Sequence, residues 1–279
     1  MDEEMPQSDY DLLLNNIIRY SNKKNNIDHD KRPSWQSILV AASVIFFVAL
    51  GLIFFLNMEE ENLIKPSIET VRKSTLYGQR LTFTLPDGSK VLMNSGSEII
   101  YNLPFEENRF IVLKGEAFFD VACDEKHPFA VQTGEVITKV LGTSFNIKAF
   151  PEDEQRSIAV VSGKVSVSDD YGNQALLMPT QKGVFSTKDK DLMVMQFSKS
   201  KELGWKNGEL QFDHLPIDLV FKELERWYGV KIEISDKEIL KGTYTGSYKN
   251  ASFEKTIKGI CFTMGLNYSI NENKVRLYK

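Results

Sequence analysis

Read for its pattern of apolar and polar positions, the chain falls into four textures. The sharpest is Ile38 to Leu56, an apolar run without a single charge. At about 1.5 Å of rise per residue, a helix over that run crosses the roughly 30 Å hydrocarbon core of a bilayer. It begins too late and runs too long for a secretory signal, and Asn57-Met58-Glu59-Glu60-Glu61 follows it in place of a small-residue cleavage site. Trp35 stands one turn before the run, where an interfacial aromatic belongs. The pattern therefore predicts a transmembrane helix over 38–56.

Ahead of it, residues 1–34 are polar except for one segment, in which Tyr10, Leu13, Leu14, Ile17 and Ile18 recur at helical spacing. They predict a short amphipathic helix within Tyr10 to Tyr20, too short to be stable alone, so its apolar stripe needs a partner. Residues 22–32 read as a charged linker. After the span, 57–74 reads as a juxtamembrane linker, acidic at first and carrying Pro66.

From Thr75 the texture is short alternating runs rich in β-branched and aromatic residues. They include Thr82 to Leu85, Val91 to Met93, Arg109 to Leu113 ending at Gly115, Phe129 to Thr133, Val136 to Val140, Ser157 to Val161 and Lys164 to Val167. Gly, Asp and Asn punctuate them, as in an all-β sandwich or barrel, and a jelly-roll-like domain over 75–200 is expected.

Beyond Leu210 the period changes. Ile217, Val220, Phe221, Leu224 and Trp227 share a helical face after Pro216, Gly229 closes the helix, and Val230 to Ile234 alternates as a strand. Thirty-six positions on, the pattern returns. Ser252 caps a helix carrying Phe253, Ile257, Ile260 and Met264, Gly265 closes it, and Leu266 to Ile270 alternates. This predicts a small α+β domain over 201–279: two β-α-β units sharing one sheet, closed by Lys274 to Tyr278 as the final strand.

Lys23, Lys24, Lys31 and Arg32 precede the span and Glu59 to Glu61 follow it, so the N-terminus is expected in the cytoplasm and the long tail outside, in the periplasm of a bacterium. The formal net charge is −4 with no basic block, which argues against direct nucleic-acid binding. Cys123 and Cys261 read as small buried apolar residues. His29, His127 and His214 have no partner at metal-ligand spacing, and no nucleophile elbow or phosphate loop occurs. Glu116 and Asp120, four apart in a strand, would lie about 13 Å apart, too far for a glycosidase pair. Surface or turn roles are expected for both. No enzyme and no cofactor is expected.

Several strings, in order, carry a resemblance: Leu85-Pro86-Asp87-Gly88-Ser89-Lys90-Val91, Asn94-Ser95-Gly96-Ser97, Leu113 to Ala122 (LKGEAFFDVA), Pro128 to Val131, Val140 to Ile147 (VLGTSFNI) and Ser162-Gly163-Lys164-Val165. Together they resemble the FecR family of bacterial transmembrane anti-sigma regulators. The segment from Glu209 is similar to the C-terminal domain common in this family in the Bacteroidetes, itself similar to the secretin and TonB short N-terminal domain. Family heads are often longer than residues 1–37.

The resemblance implies a relay from an outer-membrane TonB-dependent transporter to a cytoplasmic extracytoplasmic-function sigma factor, and no catalytic residues. It assigns the stripe Tyr10, Leu13, Leu14 and Ile17 to the sigma factor. Receptor docking is expected at the last strand, if Lys274, Arg276 and Tyr278 point outward from an open edge, or at the adjacent helix Ile217 to Tyr228; the alternative is that this strand is central and merely closes the fold. Regulated proteolysis between Asn57 and Lys73 is a further expectation, a protease then joining the partners. Two other readings are a membrane-anchored binding module for a glycan or cell-wall polymer, which needs an exposed aromatic platform, and a secretin-like structural subunit. A reporter active only in the periplasm tests the topology. Fused after Lys279 it should be active and fused near Asn25 inactive; the opposite pattern overturns the functional reading.

Overall fold

The computed structural model describes residues 15, 16, 18–20, 35–58 and 69–279. The stripe residues Tyr10, Leu13, Leu14 and Ile17 lie outside the described residues; Asn15, Asn16, Ile18, Arg19 and Tyr20 are helical. Helix α1 (Trp35–Met58) contains the apolar run. Its stretch Ile38–Phe55 is long and apolar enough to cross a membrane, and none of it is buried against protein.

Thirteen strands follow: β1 (Glu69–Ser74), β2 (Leu81–Thr84), β3 (Lys90–Met93), β4 (Glu98–Leu103), β5 (Phe110–Asp120), β6 (Phe129–Thr133), β7 (Val136–Val140), β8 (Ser144–Ala149), β9 (Gln155–Ser162), β10 (Val165–Asp169), β11 (Gln174–Leu177), β12 (Gln181–Ser186) and β13 (Leu192–Gln196). They form one array in the order β11-β10-β7-β6-β5-β8-β9-β12-β13, with β4 and then β1, and β3 and then β2, branching from β5. The linker expectation for 57–74 is thus corrected at its end. Glu69–Ser74 is a strand paired antiparallel with β4, and its alternating Val71 packs on the core.

Strand β5 organises the array by serving two sheets. Its first half pairs with β4 and, in parallel, with β6; its second half pairs with β3 and β8. The expected strand end at Gly115 is therefore the point where the strand changes sheets. Gly115 has φ +98, and a Cβ there would stand 2.5 Å from Ser97 Oγ and 2.7 Å from Ser97 Cα. Only glycine lets the strand continue through the corner. On its inward side, Ile111, Leu113, Ala117 and Phe119 are fully or almost fully buried. Phe119 stacks on Phe145 at 5.2 Å, and its edge meets Phe129 at 5.9 Å.

The Leu85 to Ser89 turn does more than reverse the chain. Asp87 forms a buried ion pair with Arg109 at 2.8 Å, and Arg109 also donates to the carbonyls of Ala122 (2.6 Å) and His127 (3.0 Å). One guanidinium thereby ties the Leu85–Ser89 turn to the loop between β5 and β6, its buried charge met by a carboxylate and two carbonyls. Cys123 is exposed, against expectation, because it lies past the end of β5 in the loop that Arg109 anchors; Cys261 is buried.

The C-terminal part begins with a short helix α2 (Lys199–Leu203) and a 3-10 turn Gly204–Asn207. Then come β14 (Glu209–Pro216), α3 (Ile217–Tyr228), β15 (Lys231–Ile234), β16 (Thr243–Lys249), α4 (Phe253–Met264), β17 (Asn267–Asn271) and β18 (Lys274–Tyr278). The repeat is real: both helices end on a glycine in the left-handed conformation, and the Ser252 side chain caps α4. The single shared sheet is not. Corresponding strands sort together instead, β14 with β16 in one sheet and β15-β18-β17 in the other. Nor is β18 an edge. It lies parallel to β15 and antiparallel to β17, because Val275 and Leu277 are wholly buried and the most apolar strand takes the centre. Lys274, Arg276 and Tyr278 do point outward, but no strand can add beside them.

Gly115→Ala should lower stability by about 3 kcal/mol, combining backbone strain with overpacking against Ser97. Thermal unfolding of the detergent-solubilised chain measures it. A variant that melts with the parent would refute the sheet-switch role.

Candidate functional site

Residues 69–279 fall in one compact unit although they hold two separate cores, one in the β array and one around α3 and α4. What joins the cores is a polar junction, and it is the densest set of buried charges among the described residues. Helix α3 buries Ile217, Val220, Phe221 and Leu224 in its own core and sends Glu223 and Arg226 from another side of the helix towards the β array. Arg226 is 4 % exposed. Its guanidinium lies over the Phe150 ring at 4.1 Å and donates to Glu152 and Asp153, both at 3.0 Å, in the turn after β8. It also reaches Glu223 at 3.1 Å, and Glu223 accepts from Lys148 of β8.

Backbone contacts reinforce the ion pairs. The Arg226 carbonyl, in the last turn of α3, accepts from Gly78 N at 2.9 Å and from the Ser95 hydroxyl. Two groups of the β array thus cap a helix end that would otherwise present unsatisfied carbonyls. Gly229, just past that end at φ +69, leaves no room for a side chain: a Cβ would sit 2.8 Å from the Tyr77 carbonyl oxygen.

Behind the ion pairs lies Glu116, on β5 just after the corner glycine and 6 % exposed. The expectation of a surface or turn role for Glu116 is corrected; Asp120 is exposed, but in the strand and bonded to Ser144. Glu116 accepts from Asn94 Nδ2 at 2.8 Å and from Asn146 Nδ2 at 2.9 Å. Both amides are locked in that orientation. Asn94 Oδ1 accepts from Arg80 Nε at 3.1 Å, and Asn146 Oδ1 accepts from Trp205 Nε1 at 3.3 Å. Arg80 in turn stacks on the Trp227 ring of α3 at 4.1 Å. Both oxygens of Glu116 therefore accept a hydrogen bond.

The electrostatics are arranged to match. Burial, with the nearby Glu223 charge, holds the Glu116 carboxyl above its ordinary range, and Lys148 and the two amides offset only part of that rise. Burial acts the same way on Glu223, but Lys148 and Arg226 outweigh it and hold that carboxyl below its ordinary range. Lys148 and Arg226 are both held above theirs, burial notwithstanding, chiefly by Glu223. A cavity of about 180 Å³ beside Glu116, Lys148, Trp205 and Glu223 keeps part of this set facing a polar space.

Family comparison decides what the junction belongs to. The FecR protein family model matches residues 71–166, and the FecR C-terminal model matches 209–277. A crystal structure of a candidate anti-sigma factor from Parabacteroides distasonis is 32% identical, with a TM-score of 0.70 over 76% of this chain and 99% of that one. A second structure with the same description matches at 32% identity and a TM-score of 0.69, over 75% and 99%. The chain belongs to the FecR family. No curated protein matches it.

In FecR terms the junction is built from both matched regions. Asn94, Ser95, Glu116, Asn146 and Lys148 come from the first, and Glu223, Arg226 and Trp227 from the second. The family strings around Asn94 to Ser97, Gly115-Glu116 and Phe145-Asn146 thus include the partners of the C-terminal helix as well as turns and core. Membership supports a regulatory, anti-sigma role, exercised through a sigma factor and signalling partners. The sequence reading missed the junction, having assigned Glu116 to the surface and left Lys148, Glu223 and Arg226 unremarked. The available signal was a carboxylate and an asparagine inside apolar strand runs, at Glu116 and Asn146.

Lys148→Met should destabilise the chain by about 2 kcal/mol at pH 7, since it removes the ammonium bonded to Glu223 and the positive charge facing Glu116. The depressed Glu223 carboxyl contributes stability above the ordinary glutamate range, and that contribution is lost as pH falls through its lowered value. The deficit of the variant should therefore shrink on acidification to about pH 4. Thermal unfolding at the two pH values measures it; a deficit that grows in acid contradicts the assignment.

Proposed function

We propose that this FecR protein is a single-pass inner-membrane relay, with its N-terminus in the cytoplasm and residues 69–279 in the periplasm. Its C-terminal unit receives a signal from an outer-membrane TonB-dependent transporter, and its head holds an extracytoplasmic-function sigma factor through Tyr10, Leu13, Leu14 and Ile17. The observation that carries the reading is the junction itself. It fixes α3 to residues Gly78 to Arg80 and to Ser95, and Gly78 follows by a few residues β1, the first strand after the span helix in the chain. A partner that displaces α3 acts directly on the segment leading back towards the membrane, which is the coupling a relay needs.

Lys274, Arg276 and Tyr278, on the outward side of β18, are side-chain contacts for the receptor in this reading; strand addition at β18 itself is excluded by its two neighbours. A regulatory protease, if the relay uses one, would cut ahead of Glu69, because Glu69–Ser74 is engaged with β4. Against the glycan-module reading, Trp205 is buried on Asn146 and Trp227 is covered by Arg80.

Replacing Leu13 and Ile17 by Asp should abolish co-purification of the sigma factor from solubilised membranes while the chain still inserts. Retention of the sigma factor by the double variant would show that the stripe is not the contact.

A further inference from the structure

Helix α4 buries Thr256, Ile257, Ile260 and Cys261 and turns Lys255, Lys258 and Phe262 outward. Glu254 and Thr263 are exposed as well; Lys255, Lys258 and Phe262 recur at spacings of three and four, so they form one row along the helix. Phe262 is 88 % exposed, a large apolar side chain left in water. Neither lysine makes an ion pair among the described residues. Alongside runs β17, which pairs only with β18. Between helix and strand lies a groove of about 500 Å³, lined by Lys255, Lys258, Gly259, Phe262, Leu266 and Tyr268.

The two edges of this sheet are treated differently. At β15 the Ile232 amide is satisfied by the Glu225 side chain of α3 at 2.7 Å. At β17 the segment Asn-Tyr-Ser-Ile-Asn contains no charge and no proline, the devices that usually blunt an open edge. Its only backbone partners among the described residues are on β18. A strand edge beside a helix, with a groove between them, is the arrangement by which an extended segment adds to a sheet.

We propose that an extended acidic segment of a partner protein adds to β17 as a fourth strand, setting carboxylates towards Lys255 and Lys258 and an apolar side chain against Phe262. The row Lys255 to Phe262 covers about 10 Å of helix, the length of about three strand residues, so alternate side chains of one added strand reach both charge and ring. A second copy of this chain fits poorly: antiparallel pairing of two β17 edges brings four lysines together. The proposal rests on the reading that the C-terminal unit is where a partner addresses the periplasmic part.

Two labelled nine-residue peptides test it against the full chain in detergent, one alternating valine with aspartate and one alternating valine with lysine. Fluorescence anisotropy should show binding of the first only. Lys255→Glu with Lys258→Glu should weaken it by about tenfold or more, and Phe262→Ala by several-fold, whereas Lys255→Arg with Lys258→Arg should preserve it. Binding should also protect the backbone amides of residues 267–271 from hydrogen exchange. All three side chains are exposed, so folding of the variants is not at issue. Equal binding of both peptides, no binding of the aspartate peptide, or indifference to the charge reversal would overturn the proposal. So would a concentration-dependent dimer of the chain that Phe262→Ala abolishes. No sigma factor is present in the assay, so its outcome and that of the head variant are separate.

Discussion

Glu116 sits on a strand among fully buried neighbours, where a carboxyl group is costly unless its oxygens are met. The protein meets that condition with two amides, and it fixes the amides with groups from different parts of the chain: Arg80 for Asn94, and Trp205 for Asn146. Arg80 is itself placed by Trp227, and the remaining charge is balanced through Lys148, Glu223 and Arg226. One buried carboxyl group thus draws in the β array, the connecting 3-10 turn and helix α3. Gly115, next in sequence, is where β5 changes sheets, so the same short stretch turns the array and anchors its partner.

A junction of this kind has a different physical character from an apolar one. Buried ion pairs stabilise little relative to well-packed hydrocarbon, yet losing one member of the set is expensive. Such a contact is specific in position and modest in strength. Its faces carry charges and amides interleaved with the Phe150, Trp205 and Trp227 rings. The two cores stay closed, since the apolar side of α3 is committed to its own domain.

The elements were legible where a single periodicity set them. The span, the short strands from Thr82 to Val167, both helices of the repeat and their glycine ends all follow from local pattern. Pairing was not legible, because it depends on which faces meet. Lys274 to Tyr278 read equally as an open edge or as a central closing strand, and only its pairing with both β15 and β17 makes it central. The junction was hidden for a related reason. Glu223 and Arg226 lie off the apolar stripe of α3, where charges are ordinarily solvated, and a one-stripe reading leaves them in water. Their burial is a property of the neighbouring turn Glu152–Asp153, far away in sequence.

The repeat explains how one small domain carries two different surfaces. Helices α3 and α4 occupy equivalent places, with glycine ends and apolar stripes in register, so their outward sides are equivalent too. On α3 that side holds Glu223 and Arg226 and is spent on the β array; on α4 it holds Lys255, Lys258 and Phe262 and remains exposed. The edge strands follow the same division, β15 being met by Glu225 of α3 while β17 is open. The two helices thus differ in their outward faces, one engaged and one exposed, and both press on the same core through Val220, Leu224, Ile257 and Ile260. A load placed on α4 or β17 reaches α3 through close-packed side chains, which yield little. The shortest route from an outside partner to the Arg226 contacts therefore crosses a single small core.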